Sequence, residues 1–175
     1  MSLPQPPKPA KLVIGIFTRD KNIIDQLANE LSGVFGSFDL VSSWLPFDYT
    51  TYYEREMGVP LFRRMFAFQT LIEQSELSAV KTITNRIENQ YASNGKRIVN
   101  IDPGYLSLER FVLASGKNFT HRIYVGQGIF ADLTLIYQHG MFEKLPWTYP
   151  DYADQPVLAF LEKVRNKYAV DLKTN

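Results

Sequence analysis

The chain has 175 residues, the length of one ordinary domain, and 45% of them are apolar against 21% charged. A net charge of +1 means that no large electrostatic field recruits nucleic acid or an anionic membrane. The absence of cysteine excludes disulfides and thiolate chemistry, and two histidines exclude a three-histidine metal site. Twelve Phe, ten Tyr and two Trp predict a core and loops rich in aromatic rings.

The first ten residues contain prolines 4, 6, 7 and 9, which predict an extended Pro-rich arm over residues 1–10. A single α+β domain is expected to follow over residues 11–175. No apolar run reaches the length of a signal peptide or a spanning helix, so we expect a soluble, cytoplasmic protein without membrane contact. Nothing in the sequence indicates an oligomeric state.

The first hundred residues predict the order strand, helix, strand, strand, helix, strand. These elements are a strand over 11–17, a helix capped by Asn22 and stopped at Gly36, strands over 38–47 and 60–68, a helix from 75 to about 93, and a strand over 97–101. The second helix has an apolar stripe, predicted to face the sheet, and a polar stripe of Lys81, Asn85 and Glu88. Asp102-Pro103-Gly104 is typical of a turn that closes the fourth strand.

The second half of the chain predicts a hairpin and a closing helix. Residues 121–125 and 129–137 flank a Gly126–Gly128 turn, residues 141–145 form a short strand, residues 106–114 fit either a helix or a strand, and residues 154–172 form the helix. The whole order favours a ferredoxin-like split βαβ core (β-α-β-β-α-β) with a mostly antiparallel sheet. A doubly wound parallel sheet is less favoured, because the second and third strands lack a crossover helix between them.

Four connections concentrate polar and aromatic residues, namely 46–58, 100–105, 117–122 and 146–152. The stretch 48–58 has three tyrosines and three carboxylates without strand or helix periodicity, which favours a ligand-binding loop over a plain connection. The candidate catalytic residues are Asp102, His121 and Asp48. The candidate ligand-binding residues are Tyr49, Tyr52, Glu56, Asn85, Glu88, Asn100, Lys117, Arg122, Trp147, Tyr149 and Asp151.

In this hypothesis Arg122 and Lys117 neutralise a small anionic ligand, while His121 and the carboxylates transfer protons or bind a hard divalent ion. The residues specify neither a particular metal nor a cofactor. Each group also has a structural interpretation that stays open. Asp102 can belong to an ordinary turn, His121 can bond a neighbouring carboxylate, the polar helix stripe can be solvated, and Asp151 can cap the last helix.

The stretches PFDYTTYYEREMG, TNRIE, RIVNIDPGY, HRIYVGQGI and LPWTYPDY resemble a bacterial and archaeal family of unknown function, DUF4416, from about Lys11 to Tyr168. The family pattern favours glutamate where this chain has Asp132, which shortens the carboxylate reach. The family has no established activity, although some members carry a GTP-binding label. Gly116-Lys117 does not support that label, because a P-loop needs glycine at Phe111 and Ser or Thr at Asn118.

Two classes of function therefore compete. The favoured hypothesis is an enzyme or binding protein with one aromatic-walled pocket for a small anionic molecule. The alternative is an RNA-binding or protein-interaction module that stacks ligands on Phe62, Phe66 and Phe68, with Arg64 between them. The near-neutral charge argues against tight nucleic-acid binding.

Overall fold

The computed structural model describes residues 3–174, in which helices cover both faces of one sheet. The strands are β1 (Ala10–Thr18), β2 (Phe38–Val41), β3 (Leu45–Phe47), β4 (Leu61–Ile72), β5 (Val99–Leu106), β6 (Arg110–Ser115), β7 (Arg122–Gly126), β8 (Ile129–Gln138) and β9 (Met141–Lys144). The α-helices are α1 (Ile24–Phe35), α2 (Glu54–Met57), α3 (Leu77–Gln90) and α4 (Gln155–Thr174). Short 3₁₀ turns cover Lys21–Ile23, Gln74–Glu76 and Pro150–Tyr152.

The nine strands within residues 3–174 form a sheet in the order β2-β4-β1-β5-β6-β8-β7. In addition, β3 pairs with β4 and β9 pairs with β8. Every pairing is antiparallel. The predicted mixture of helices with a mostly antiparallel sheet and a C-terminal helix is therefore confirmed, and the sheet has more strands than the sequence indicated.

Strand β1 is buried throughout because helices cover both of its faces. Its even-numbered residues Leu12, Ile14 and Ile16 pack with the apolar stripes of α1 and α3. Val13 faces the opposite way, into a second core that includes Leu161 and other residues of α4. The period-two alternation of a strand thus divides the apolar residues between two helical layers.

Lys11 is the charged exception within β1, since it is completely buried. Its ammonium donates to Asp39 of β2 at 2.5 Å and to Asp171 of α4 at 2.8 Å. A buried lysine is tolerated only when its charge is paired. The interaction therefore links the central strand to the sheet edge and to the closing helix.

Two local predictions need correction, and a third that was open is decided. The side chain that accepts from a backbone amide at the first helix belongs to Asp20, whereas Asn22 supplies that amide. The predicted strand 38–47 is divided between β2 and β3, because the Ser42 hydroxyl accepts from the Met65 amide and replaces part of the strand ladder. Of the two alternatives for 106–114, the strand is confirmed: β5 ends at Leu106, a short connection covers 107–109, and β6 begins at Arg110.

Asp102-Pro103-Gly104 is not a turn, and this prediction was wrong. The three residues lie in β5, paired with Gly15, Ile14 and Val13 of β1. Gly104 is needed for the next pairing, since a Cβ there would lie 2.6 Å from the Val112 carbonyl oxygen. Turn-forming residues are therefore used here for a close approach of two strands.

Strands β5 and β6 separate on the N-terminal side of Gly104. Pairing covers only Gly104–Leu106 with Phe111–Leu113, so within the described chain residues 99–103 have β1 as their one strand neighbour. The Ile101 N–H instead donates to Glu88 at 2.8 Å, and its carbonyl accepts from Lys81 at 2.7 Å. Side chains of α3 thus satisfy backbone groups that a strand would otherwise bond.

We expect Gly104→Ala to reduce the free energy of unfolding by about 1–3 kcal/mol, because the added methyl group forces the β5–β6 contact apart. Gly33→Ala is the matched control, since a Cβ there has no atom within 4 Å and alanine favours the helix. Urea unfolding at pH 7 measures both variants. Equal stability of the two would contradict this account of the strand contact.

Candidate functional site

The gap between β5 and β6 opens into a cavity of about 620 Å³. It is lined by Phe47, Tyr49, Thr50, Tyr52, Tyr53, Arg63, Lys81, Asn85, Glu88, Arg97, Asn100, Asp102, Leu113, Ala114, Ser115, Gly116, Lys117, Arg122, Asp132, Tyr149, Pro150, Asp151 and Tyr152. These residues come from segments far apart in the chain, and a volume of this size suits a small ligand.

Helix α3 contributes buried charges to one wall of this cavity. Lys81 and Glu88 are both buried, so the interpretation of this stripe as a solvated face was wrong. Their hydrogen bonds to Ile101 explain the burial, because each compensates the loss of water with a backbone partner. Burial raises the pKa of Glu88, and the Lys81 charge and the Ile101 amide oppose that rise.

Strand β5 presents Asn100 and Asp102 along the opened edge. The Asn100 carbonyl oxygen accepts from Arg97 at 2.9 Å, while its buried Nδ2 has no hydrogen-bond partner among residues 3–174. Asp102 Oδ1 lies 3.9 Å from Lys81 Nζ, and the Asp102 side chain is 28% exposed. An unsatisfied donor and an accessible carboxylate therefore lie on one strand, two residues apart.

Arg63 of β4 forms a buried cationic part of the cavity wall. Its guanidinium carbon lies 4.8 Å from the Phe47 ring centroid and 4.6 Å from that of Tyr152. Arg63 Nη1 is 2.5 Å from the Asp151 carboxylate, whereas Nε has no hydrogen bond in the described chain. The aromatic faces and the carboxylate together compensate the charge of a guanidinium that is 2% exposed.

The tyrosine loop, residues 48–58, covers another side of the cavity. Tyr53 packs edge-on against Phe17, and burial raises its pKa. The Tyr49 hydroxyl donates to Asp154 at 2.5 Å. Burial, followed by this hydrogen bond, raises the Tyr49 pKa to about 12. The rings therefore pack and remain protonated at neutral pH, and the Tyr49 proton is engaged by Asp154.

Glu56 anchors the tyrosine loop without lining the cavity itself. Its carboxylate accepts from Arg97 Nε at 2.8 Å and Nη2 at 2.7 Å, in a bidentate pair. This hydrogen bonding lowers the pKa of Glu56 and raises that of Arg97. Arg97 also donates to Glu88 at 3.3 Å, so the loop is coupled to α3 through one guanidinium.

The opposite rim is organised by Arg122, whose donors are bonded within the protein. Nε donates to Asp132 at 2.8 Å, Nη1 to Ser115 at 3.0 Å, and Nη2 to Tyr149 at 2.8 Å. Desolvation lowers the Arg122 pKa, but these partners outweigh it and leave the pKa raised. Arg122 therefore holds the rim together and is a weaker candidate for binding a ligand anion than the sequence suggested.

His121 lies behind this rim, outside the cavity wall. Its Nε2 is 3.2 Å from Asp132 Oδ2, and its ring stacks on Trp147 at a centroid distance of 5.0 Å. The Trp147 indole donates to the Leu133 carbonyl at 2.8 Å. His121 thus makes the structural contact with a carboxylate that the sequence left open, and it does not line a common wall with Asp102.

Most of the candidate residues surround the cavity. Those in its wall are Tyr49, Tyr52, Asn85, Glu88, Asn100, Asp102, Lys117, Arg122, Tyr149 and Asp151. Asp48, Glu56, His121 and Trp147 are outside it, and exposed Asp48 borders a separate shallow depression. Asp151 does not cap α4 but pairs with Arg63.

Sequence reasoning missed Arg63, Arg97 and Tyr152 as parts of this wall. A signal was available for the first of them. Arg63 and Arg64 are adjacent in a strand of apolar residues, and alternation forces one of the two side chains inward. The contribution of Tyr152 depends on Gly15, since a Cβ there would lie 3.1 Å from the tyrosine hydroxyl.

The two other functional interpretations lack support in the structure. Phe66 and Phe68 are buried in the core beneath α1 and α3, so they offer no stacking surface to RNA. Phe62 is half-buried, and the Lys21 ammonium lies 3.6 Å from its ring centroid. Gly116 and Lys117 line the cavity, but residues 116–121 form no helix and lead into β7. A P-loop requires a helix at that point, whose N-terminal amides bind phosphate.

Within residues 3–174, no group of three or more acidic or histidine side chains is arranged to hold a metal ion. None of the helices in the same residues combines the length and the apolar character needed to cross a membrane.

We expect opposite pH dependences for Glu56→Gln and Glu88→Gln. Glu56 has a lowered folded pKa, so its stabilisation is present above the unfolded pKa of about 4.3 and is lost as the pH falls through the folded pKa. The stability difference between wild type and Glu56→Gln should therefore shrink between pH 5 and 3.

Glu88 has a raised pKa in the folded state, so its protonation favours folding. The free energy of unfolding of the wild type should therefore rise relative to that of Glu88→Gln as the pH falls. Urea unfolding between pH 7 and 3 measures both differences. Parallel pH profiles for the two variants would contradict the assigned environments.

The comparisons with known proteins identify a family but no activity. A family model described as "Domain of unknown function (DUF4416)" matches residues 8–168, which include every residue of the cavity wall. No curated protein and no solved structure matches the chain. The match spans nearly the whole sequence and agrees with the resemblance of the loop motifs, so the chain belongs to the DUF4416 family.

Proposed function

We propose that the cavity between β5 and β6 binds a small, oxygen-rich anionic molecule, either for binding alone or for an enzymatic reaction. The observation that carries this proposal is the set of buried donors in its wall that lack an intramolecular partner. They are Asn100 Nδ2 and Arg63 Nε, and the hydroxyl of Tyr152 is similarly unpartnered within residues 3–174. Buried donors without partners are costly, and ligand oxygens would satisfy them.

The charges around the cavity support an anion. Arg63, Lys81, Arg97 and Arg122 each have a carboxylate within ion-pair distance. Lys117 forms no such pair in the described part of the chain. Its ammonium contacts the tyrosine loop, donating to the Tyr52 hydroxyl at 3.2 Å and lying 4.6 Å from that ring centroid. Lys117 is exposed, so it is the cation available to an entering ligand.

The aromatic rings would hold the ligand skeleton. Tyr49, Tyr52, Tyr53 and Tyr149 all line the cavity with apolar ring faces. The hydroxyls of Tyr52 and Tyr149 accept from Lys117 and Arg122, so their own protons remain to be donated. Ligand sites commonly combine such faces with a few convergent polar groups. In this proposal Asn100 and Lys117 contact acceptor oxygens, and Asp102 is the candidate for proton transfer because its carboxylate is accessible. His121 has no direct role.

We also propose that the N-terminal half has the ferredoxin-like split βαβ arrangement. Its support is the strand order β2-β4-β1-β5, in which β4 separates β1 from β2 and β1 separates β4 from β5. Helices α1 and α3 form the two crossovers of this arrangement. The ligand cavity would then lie where β6 joins that core.

We expect Asn100→Asp to abolish ligand-induced stabilisation while leaving the fold intact. The substitution keeps the oxygen that accepts from Arg97 but replaces the unpartnered donor by a negative oxygen, which repels an anion. Asn89→Asp is the matched control, since Asn89 is exposed on α3 and outside the cavity. A thermal-shift panel of small carboxylates and organic phosphates supplies the ligands.

A ligand at one hundred times its Kd adds about 2.7 kcal/mol, which raises Tm of the wild type and of Asn89→Asp by about 5–10 °C. Lys117→Gln should lower the affinity for the same ligand. It should not change the stability of the free protein, because the Lys117 side chain is exposed. No stabilisation of the wild type by any member of the panel, or equal stabilisation of Asn100→Asp, would refute the proposed function.

A further inference from the structure

Asp102 differs from every other carboxylate in the cavity wall. Glu88 accepts from the Ile101 amide, Asp132 accepts from Arg122, and Asp151 is paired with Arg63. Asp102 has no side-chain hydrogen bond in residues 3–174, although its Oδ1 lies 3.9 Å from Lys81 Nζ. The Asp102 side chain is 28% exposed, whereas those of Glu88, Asp132 and Asp151 are each 10% exposed or less. The cavity therefore contains an open acceptor beside its open donors.

An anion that carries only acceptor oxygens would satisfy the open donors of the cavity but not the open acceptor, Asp102. Its oxygens would bond Asn100 and Lys117 but would be repelled by the Asp102 carboxylate, two residues from Asn100 on the same strand. A ligand that fits both groups must carry acceptor oxygens and, in addition, a hydrogen-bond donor that faces Asp102.

The nearby charges distinguish a hydroxyl donor from an ammonium donor. Lys81 already supplies a positive charge 3.9 Å from Asp102 Oδ1, so a second cation at that place would meet repulsion. A neutral hydroxyl donates to the carboxylate without this cost. The aromatic walls, which offer flat faces to a carbon skeleton, suit the same class of molecule.

We infer that the cavity selects hydroxylated organic acids, with Asp102 accepting a hydrogen bond from a ligand hydroxyl group. This inference rests on the proposed function and adds the substrate class. Asp102 is then a specificity-determining residue, because a bound ligand takes its carboxylate out of water and an analogue that lacks the hydroxyl leaves that carboxylate unpaired.

Two pairs of acids, matched in length and charge, test the inference by calorimetry. The pairs are D-gluconate with hexanoate and D-glycerate with propionate. We expect wild type to bind the hydroxylated member of at least one pair about tenfold more tightly, or better. In Asp102→Asn this preference should fall below about threefold. The hydroxylated acids no longer donate to a charged carboxylate, and the simple acids are no longer repelled by it.

Asp48→Asn makes the same chemical change on an exposed residue outside the cavity, and it should retain the wild-type preference. Equal urea midpoints for the two variants show that the fold is intact. Equal affinities within both pairs would overturn the hydroxyl selection and leave the proposed function standing. If neither pair binds while another small anion stabilises the protein, the hydroxyl selection is again overturned and the proposed function stands. If no small anion binds at all, the hydroxyl selection and the proposed function are both refuted.

Discussion

The separation of β5 from β6 is the constraint on which the rest of the site depends. An antiparallel pair that ends after three residues leaves backbone groups of a central strand without a partner. The Ile101 amide and carbonyl are satisfied by Glu88 and Lys81 of α3, at 2.8 and 2.7 Å. Because helix side chains substitute for a strand, both backbone groups of Ile101 stay hydrogen-bonded where the sheet is open.

The opening brings together groups from both layers of helices. Lys81 and Glu88 come from α3 on one side of the sheet, while Arg63 lies on the side where Asp151 and Tyr152 precede α4. In an unbroken sheet these groups would be separated by the strands themselves. The cavity is thus a consequence of sheet topology, and its polar character follows from the buried charges that the open edge needs.

Internal pairing of charges decides which residues remain available. The guanidinium of Arg122, which the sequence favoured for anion binding, is bonded to Asp132 and Tyr149 at 2.8 Å each. Arg97 is similarly engaged by Glu56. Open hydrogen-bonding capacity remains at Asn100, Asp102 and Lys117, as well as at Arg63 Nε and the Tyr152 hydroxyl, and the two proposals on function rest on these groups.

The amino-acid sequence by itself determined the elements with a clear period and the segments that carry the chemistry. The apolar stripe of α3 and the hairpin of β7 and β8 could be predicted, because local spacing decides them. Composition marked the tyrosine loop as a polar, aromatic connection, but the short helix α2 within it was not predicted. The positions of Asp102-Pro103-Gly104 and of Lys81 could not be predicted either. These turn-forming residues become part of a strand because β1 supplies the partner, and Lys81 is buried because the Ile101 carbonyl at the open strand edge accepts its hydrogen bond. Those conditions are set by residues distant in sequence, so only the tertiary structure decided them.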